Sequence, residues 1–284
     1  MMQIHAFFLQ NSIDMIATRN CLITLIILTS LCANAQQKKM NTSWKLAWSD
    51  EFNYTGVPDA KKWGYDVGKS GWGNNELQNY TANDTTTAKV ANGMLRIRAN
   101  RHIKGTDTSY TSARLLTKGK YEWTYGRIEV RAKIAKGLGV LPAVWMLAST
   151  KKYGGWPDCG EIDIMEHIEW HTDSIYQTVH TGAYNHIKGT QRGVRTYLPK
   201  AWDAFHIYAM EWTPEGIDYF IDGIHRYHFP NAHKTPAEWP FDSPFHIIMN
   251  ISVGGRWEGA KGIDPTIFPA TMLVDYVRVY QEKK

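Results

Sequence analysis

Apolar and polar residues alternate with a period of two in one segment after another of this chain. Past its N-terminal stretch no segment sustains a helical period. Trp44-Lys-Leu-Ala-Trp48, Gly93-Met-Leu-Arg-Ile-Arg98 and the runs 125–134, 205–212 and 217–221 all alternate. Side chains two apart on a strand share a face, so each run predicts a half-buried β-strand. Asn92-Gly93 and Asp222-Gly223 mark tight turns beside two of them. The apolar-rich runs 245–252 and 271–280 complete the set. Many short strands at near-regular spacing, with no repeat and no linker, predict an all-β protein built as a two-sheet β-sandwich.

One strand breaks its own pattern. In Gly160-Glu161-Ile162-Asp163-Ile164-Met165-Glu166-His167, Glu161 and Asp163 share a face, opposite Ile162 and Ile164. Strict alternation would send Glu166 to the isoleucine side, into the core. A one-residue β-bulge at Ile164-Met165 would turn it back beside the other two acids. Clustered like charges are unfavourable, and paired carboxylates with divergent pKa values are what glycosidic bond cleavage requires. A solvated acidic face is the competing reading of this stretch. A metal site is a third, but the strand offers no second His or Cys at ligand spacing, and His167 and His171 do not form the His-Glu-x-x-His zinc pattern.

Cys21 to Leu31 is an apolar run preceded by Arg19 and followed by Ala33-Asn34-Ala35, a small-x-small cleavage site. Residues 1–35 therefore read as a signal peptide of an exported protein, and 36–284 as a single catalytic domain. Met15 would give a conventional short leader, leaving 1–14 as an over-extended start. The run is too short for a membrane span. Cys32 leaves a lipoprotein as the alternative, although Leu31 before it fits poorly. The mature segment keeps one cysteine, Cys159, so no internal disulfide is expected, and a small buried hydrophobe is its expected role. The net charge of +5 is dispersed, which gives nucleic-acid binding no support. All twelve Trp lie in the mature segment. Trp72, Trp156, Trp239 and Trp257 stand beside Gly, Asn or Pro and are expected in loops, where exposed rings suit sugar faces. Trp123 is expected in the core.

With these motifs in hand, the chain resembles glycoside hydrolase family 16, in its laminarinase-like branch. Trp156-Pro-Asp-Cys-Gly160 leading into Glu161-Ile-Asp-Ile-Met-Glu166 is similar to that family's active-site strand. Further matches are Trp72-Gly-Asn-Asn-Glu-Leu-Gln-Asn-Tyr-Thr81, Tyr110-Thr-Ser-Ala-Arg114, Tyr125-Gly-Arg-Ile-Glu129, Pro142-Ala-Val-Trp-Met-Leu147, Trp239-Pro-Phe-Asp242, Val253-Gly-Gly255 and Val274-Asp-Tyr-Val-Arg-Val-Tyr280. The resemblance implies a concanavalin-like jelly roll of two antiparallel sheets with an open cleft, acting as a monomer on a β-glucan polysaccharide. It implies retaining hydrolysis with Glu161 as nucleophile, Asp163 as its auxiliary and Glu166 as acid/base. It also implies Trp145 and Trp156 stacking on sugars, Asn75, Arg127 and His180 bonding hydroxyls, and Trp257 at the cleft lip. No cofactor is needed for the chemistry, and a structural Ca²⁺ at Glu51, Gly93 and Asp275 is the implied metal. From its alternating strand alone, Arg127 has an equal claim to pair with Glu129.

Leu141-Pro-Ala-Val-Trp145 stands where relatives commonly carry an additional Trp, and Glu169 to Ile175 is a variable insertion. Laminarin and mixed-linkage β-1,3-1,4-glucan are therefore both expected substrates. A galactan hydrolase of the agarase or carrageenase type and a non-catalytic glucan-binding lectin are the alternatives.

Overall fold

The protein is described by a computed structural model covering residues 43–283. The expected signal segment 1–35, with Cys32, lies outside the described residues. Seventeen strands follow in order: β1 (Trp44–Asp50), β2 (Gly64–Asp66), β3 (Gln78–Tyr80), β4 (Ala88–Ala91), β5 (Met94–Lys104), β6 (Asp107–Ser112), β7 (Arg114–Leu116), β8 (Gly126–Lys133), β9 (Val140–Ala148), β10 (Glu161–Glu166), β11 (Ser174–His180), β12 (Arg192–Tyr197), β13 (His206–Thr213), β14 (Gly216–Ile221), β15 (Ile224–Pro230), β16 (Phe245–Val253) and β17 (Ala270–Glu282). Helix among the described residues is confined to two single 3-10 turns, Glu169–His171 and Pro265–Ile267. None is long and apolar enough to cross a membrane.

The strands form two sheets. Ten make one, in the order β15-β14-β13-β8-β17-β5-β6-β3, with β1 added beside β17 and β4 beside β5. Seven make the other, β12-β11-β10-β9-β16-β7-β2. Nearly every pairing is antiparallel; β3 with β6 is parallel.

Alternation decides what fills the space between the sheets. From the larger sheet Ile128, Val130 and Ala132 of β8 and Val274, Val277 and Val279 of β17 turn inward, while Val144, Met146, Ile162, Ile247, Met249 and Ile251 come from the smaller one. Each fully buried aliphatic side chain of this size contributes about 1.5–3 kcal/mol. Trp123 and Cys159 join this core, as expected. Trp239 joins it too, stacked on Phe229 at 5.7 Å between ring centres. Its expected loop exposure is thus corrected: the Pro240 and Phe241 that follow carry the ring inward with them, and Trp239 offers no face to a sugar. β16 is buried along its whole length, because loops cover the side that faces away from the core. That outer side of the smaller sheet carries the site.

Candidate active site

The register of β10 shows how its three acids come together. On β11, Asp163 pairs with Thr178 and Glu166 with Tyr176, so three steps along β10 meet two along its neighbour. On β9, Asp163 pairs with Trp145, Met165 with Val144 and Glu166 with Ala143. The additional residue is a β-bulge at Ile164-Met165, and both of those side chains are fully buried in the core. The bulge absorbs the odd position, and Glu166 returns to the face of Glu161 and Asp163. The bulge thus lies at Ile164-Met165, the two residues where parity requires it.

The three carboxyls lie in a poorly solvated cleft, and burial pushes all their pKa values up. The remaining influences separate them. Asp163 is 2 % exposed. Repulsion from Glu161 and Glu166 and a hydrogen bond shared with Glu161 raise it further, so it keeps its proton. Burial of Glu161 is opposed by the Trp156 side chain, by the positive charge of Arg114 and by the proton of Asp163. Nothing opposes burial at Glu166, where the charges of Glu161 and Glu258 add to it. Glu161 therefore ionises first and Glu166 holds its proton to higher pH. His180, opposite Glu161 on β11, has Nε2 3.4 Å from Asp163 Oδ2 and 3.9 Å from Glu161 Oε1. Burial and the nearby His186 push its pKa down to about 4, so its ring is neutral in ordinary buffers.

Aromatic side chains border these acids. The Trp145 indole N–H donates to Asn250 Oδ1 at 2.8 Å, and Asn250 in turn donates to the Tyr80 hydroxyl at 3.1 Å. The Arg114 guanidinium lies 4.8 Å from the Trp145 ring centre and 4.9 Å from that of Trp72, with its Nε 3.0 Å from Asp66. Trp156 is about one-third exposed and packs against His180 and His186. Trp257 meets Tyr176 edge-on, and its carbonyl accepts from the Trp170 indole at 2.9 Å. With Leu141, Ala143 and Ile168, the rings of Trp145, Trp170, Tyr176 and Trp257 form a small apolar cluster separate from the main core.

The sequence pattern of glycosyl hydrolases family 16 matches residues 74–278. The chain belongs to this family. It is 52 % identical over 267 residues to a beta-glucanase of Rhodothermus marinus, covering 92 % of this chain and 93 % of that protein. The X-ray structure of the laminarinase from Rhodothermus marinus superposes with a TM-score of 0.82, at 52 % identity, covering 86 % of this chain and all of that one. SCLam, a non-specific endo-β-1,3(4)-glucanase crystallised with an oligosaccharide at its active site, superposes with a TM-score of 0.80 at 46 % identity, covering 84 % and 95 %. The jelly-roll fold implied by the motifs is the fold found.

Within this family 16 fold, the structure gathers Glu161, Asp163, Glu166, Trp145, Trp156, His180 and Trp257 around one cleft. Asn75 sits on the exposed turn beside it, with φ +59°. Its neighbour Asn74 is the one tied in, donating to Glu258 at 3.0 Å and accepting from the Arg256 N–H. Arg127 is corrected. It stands on the outer face of the larger sheet, because Ile128 and Val130 on the same strand take the core, and it pairs with Glu129 at 2.5 Å and Glu211 at 2.7 Å. Arg114 is the arginine at the cleft. The implied calcium also meets a mismatch. Glu51 forms a bidentate pair with Arg278 at 2.8 and 2.9 Å and Asp275 pairs with Arg131 at 2.5 Å, while Gly93 could offer only its backbone carbonyl. Two carboxylates already neutralised by guanidinium groups and one carbonyl do not make the oxygen cage calcium needs, so the side chains as placed do not fit the ion.

Sequence reasoning missed Glu258. It is fully buried, accepts from Ser252 Oγ at 2.7 Å and from Asn74 Nδ2 at 3.0 Å, and burial pushes its pKa up to about 7. Its carboxyl ties the loop carrying Trp257 to the loop carrying Trp72. No hydrophobic period marks that stretch, only the preceding Gly254-Gly255, whose left-handed backbone turns the loop.

Proposed function

We propose that this protein is an exported, endo-acting, retaining hydrolase of β-1,3-glucans and mixed-linkage β-1,3-1,4-glucans. The observation that carries the reading is the bulged β10, which aims three carboxyls into one aromatic-walled cleft while Arg114 and Asp163 favour ionisation of Glu161 alone. Glu161 attacks the anomeric carbon as Glu166 passes its proton to the departing oxygen, and a glycosyl ester on Glu161 results. Glu166, now ionised, takes a proton from water, which attacks the same carbon and frees Glu161. Two displacements leave the configuration unchanged. Protonated Asp163 donates to Glu161, stabilising the carboxylate before attack and again as it leaves. Trp145, Trp156 and Trp257 supply flat apolar surface for sugar rings.

The names borne by the relatives, beta-glucanase, laminarinase and non-specific endo-β-1,3(4)-glucanase, support acceptance of both linkages. A sulfated galactan would call for an uncommitted cation in the cleft, and Arg114 is already engaged by Asp66. Export rests on the apolar run 21–31 and its small-x-small boundary. The test is reducing-end release by the purified 36–284 protein on laminarin, barley mixed-linkage glucan, cellulose and agarose. Short oligosaccharides from the first two alone are expected. Activity confined to agarose would replace glucan by galactan, and binding without turnover on any of the four would make the protein a lectin.

A further inference from the structure

Glu161, Asp163 and His180 bring two carboxylate oxygens and an imidazole nitrogen within 4.8 Å of one another. The strand β10 alone offers no such set; the nitrogen arrives from β11, where the register places His180 directly opposite Glu161. Donors sharing one tetrahedral zinc at about 2.0–2.1 Å lie about 3.3–3.4 Å apart. His180 Nε2 already stands 3.4 Å from Asp163 Oδ2 and 3.9 Å from Glu161 Oε1, close to that spacing, and all three donors lie within 4.8 Å, so side-chain rotation alone can draw them onto one ion. A second observation also points to a ligand. Asp163 is 2 % exposed, yet its Oδ2 is buried with no hydrogen-bond partner, 3.4 Å from His180 Nε2.

We propose that this trio binds a divalent transition metal, zinc in the first instance, which competes with the polysaccharide for the nucleophile. Binding would release the Asp163 proton to solvent and occupy the Glu161 lone pair that otherwise attacks the sugar, and the open cleft leaves the fourth position to water. A nitrogen donor among two carboxylates suits zinc or cobalt and not calcium or magnesium. Nδ1 of His180 has no partner to fix the ring, and metal-binding histidines held for permanent occupancy are normally anchored through that second nitrogen. The site is therefore that of a reversible inhibitor and not of a resident cofactor. Metal binding belongs to the empty cleft and is independent of the glucan reading; only the competition rests on it.

Titration of the purified protein with zinc chloride by calorimetry is expected to give one ion per chain. Cobalt chloride should produce visible absorption bands of a low-coordinate N/O site, which zinc abolishes and calcium or magnesium leaves in place. His180→Asn and Asp163→Asn, checked for folding by circular dichroism, should each weaken zinc by ~10-fold or more. Glu166→Gln lies outside the trio and should bind zinc like the parent. On the unaltered protein, zinc should raise KM for laminarin without changing kcat, reversed by EDTA. Zinc binding absent below millimolar concentration, or equal in the parent and both ligand variants, would overturn the proposal. So would zinc inhibition that laminarin cannot relieve. Zinc binding in a protein that cleaves no glucan would leave the metal site standing and remove the glucan reading instead.

Discussion

Acids project from strands of both sheets, and the two sheets treat them in opposite ways. On the outer face of the larger sheet the acids stand beside basic partners: Glu129 and Glu211 share Arg127, Asp275 has Arg131, Asp218 has His225 and His228, and Glu51, just past β1, has Arg278. The Arg278 hydrogen bond holds Glu51 below the usual carboxylate range. On the cleft side, Glu161, Asp163 and Glu166 are packed with one another, a neutral histidine and aromatic rings, and all three are raised. The first arrangement neutralises charge and contributes modestly to stability. The second forgoes that neutralisation and keeps groups that exchange protons near neutral pH, which is the requirement of acid–base chemistry. Function resides where no cation pairs directly with the acids and Arg114 acts on Glu161 only through its field.

Glu161→Ala should have the largest effect, a loss of ~10⁴-fold or more in kcat with oligosaccharide binding kept, since a nucleophile acts only in the chemical step. Near-normal turnover would put the cleft acids on a par with the paired ones. For Arg114→Ala we expect kcat/KM to fall roughly 10-fold to 100-fold, about the worth of one charged hydrogen bond. Its acid limb should also move to higher pH, because the positive charge that favours ionised Glu161 is gone. The parent enzyme should give a bell-shaped pH–rate profile. The acid limb reports Glu161 losing its proton and the alkaline limb reports Glu166 losing its own, and burial lifts both above the usual carboxylate range. Glu258→Gln keeps the hydrogen-bonding shape but removes a charge that raises Glu166, so the alkaline limb should move to lower pH with kcat changed by less than about threefold. Arg127→Ala should change activity least of all, while lowering stability by roughly 1–3 kcal/mol in denaturant unfolding, because Glu129 and Glu211 lose their partner.

Much of this contrast could be read from the sequence, and the part that could not has physical reasons. Long alternating strands such as β8, β14 and β17 declare themselves, and the bulge in β10 followed from parity alone. β7 is three residues long and β11 is buried on nearly every position, so neither shows a period; yet they carry Arg114 and His180. Alternation says that Arg127 and Ile128 face opposite ways without saying which way the cleft lies. That choice depends on which sheet the strand joins, a matter of pairing across many residues. The buried state of Trp239 depends on Phe229, contributed by β15, against which it and the neighbouring Phe241 pack. Glu258 lies in a loop whose shape is set by two glycines and whose carboxyl is held by Ser252 and Asn74, contacts that only the folded chain creates.

The most direct test is the anomeric configuration of the first product released from laminarin by the unaltered enzyme, followed by proton NMR before mutarotation. The bulge-aligned pair acting as nucleophile and acid/base predicts that the β-anomer appears first and the α-anomer grows in afterwards. An α-anomer appearing first would mean a single inverting displacement, and Glu161 would then not be the nucleophile.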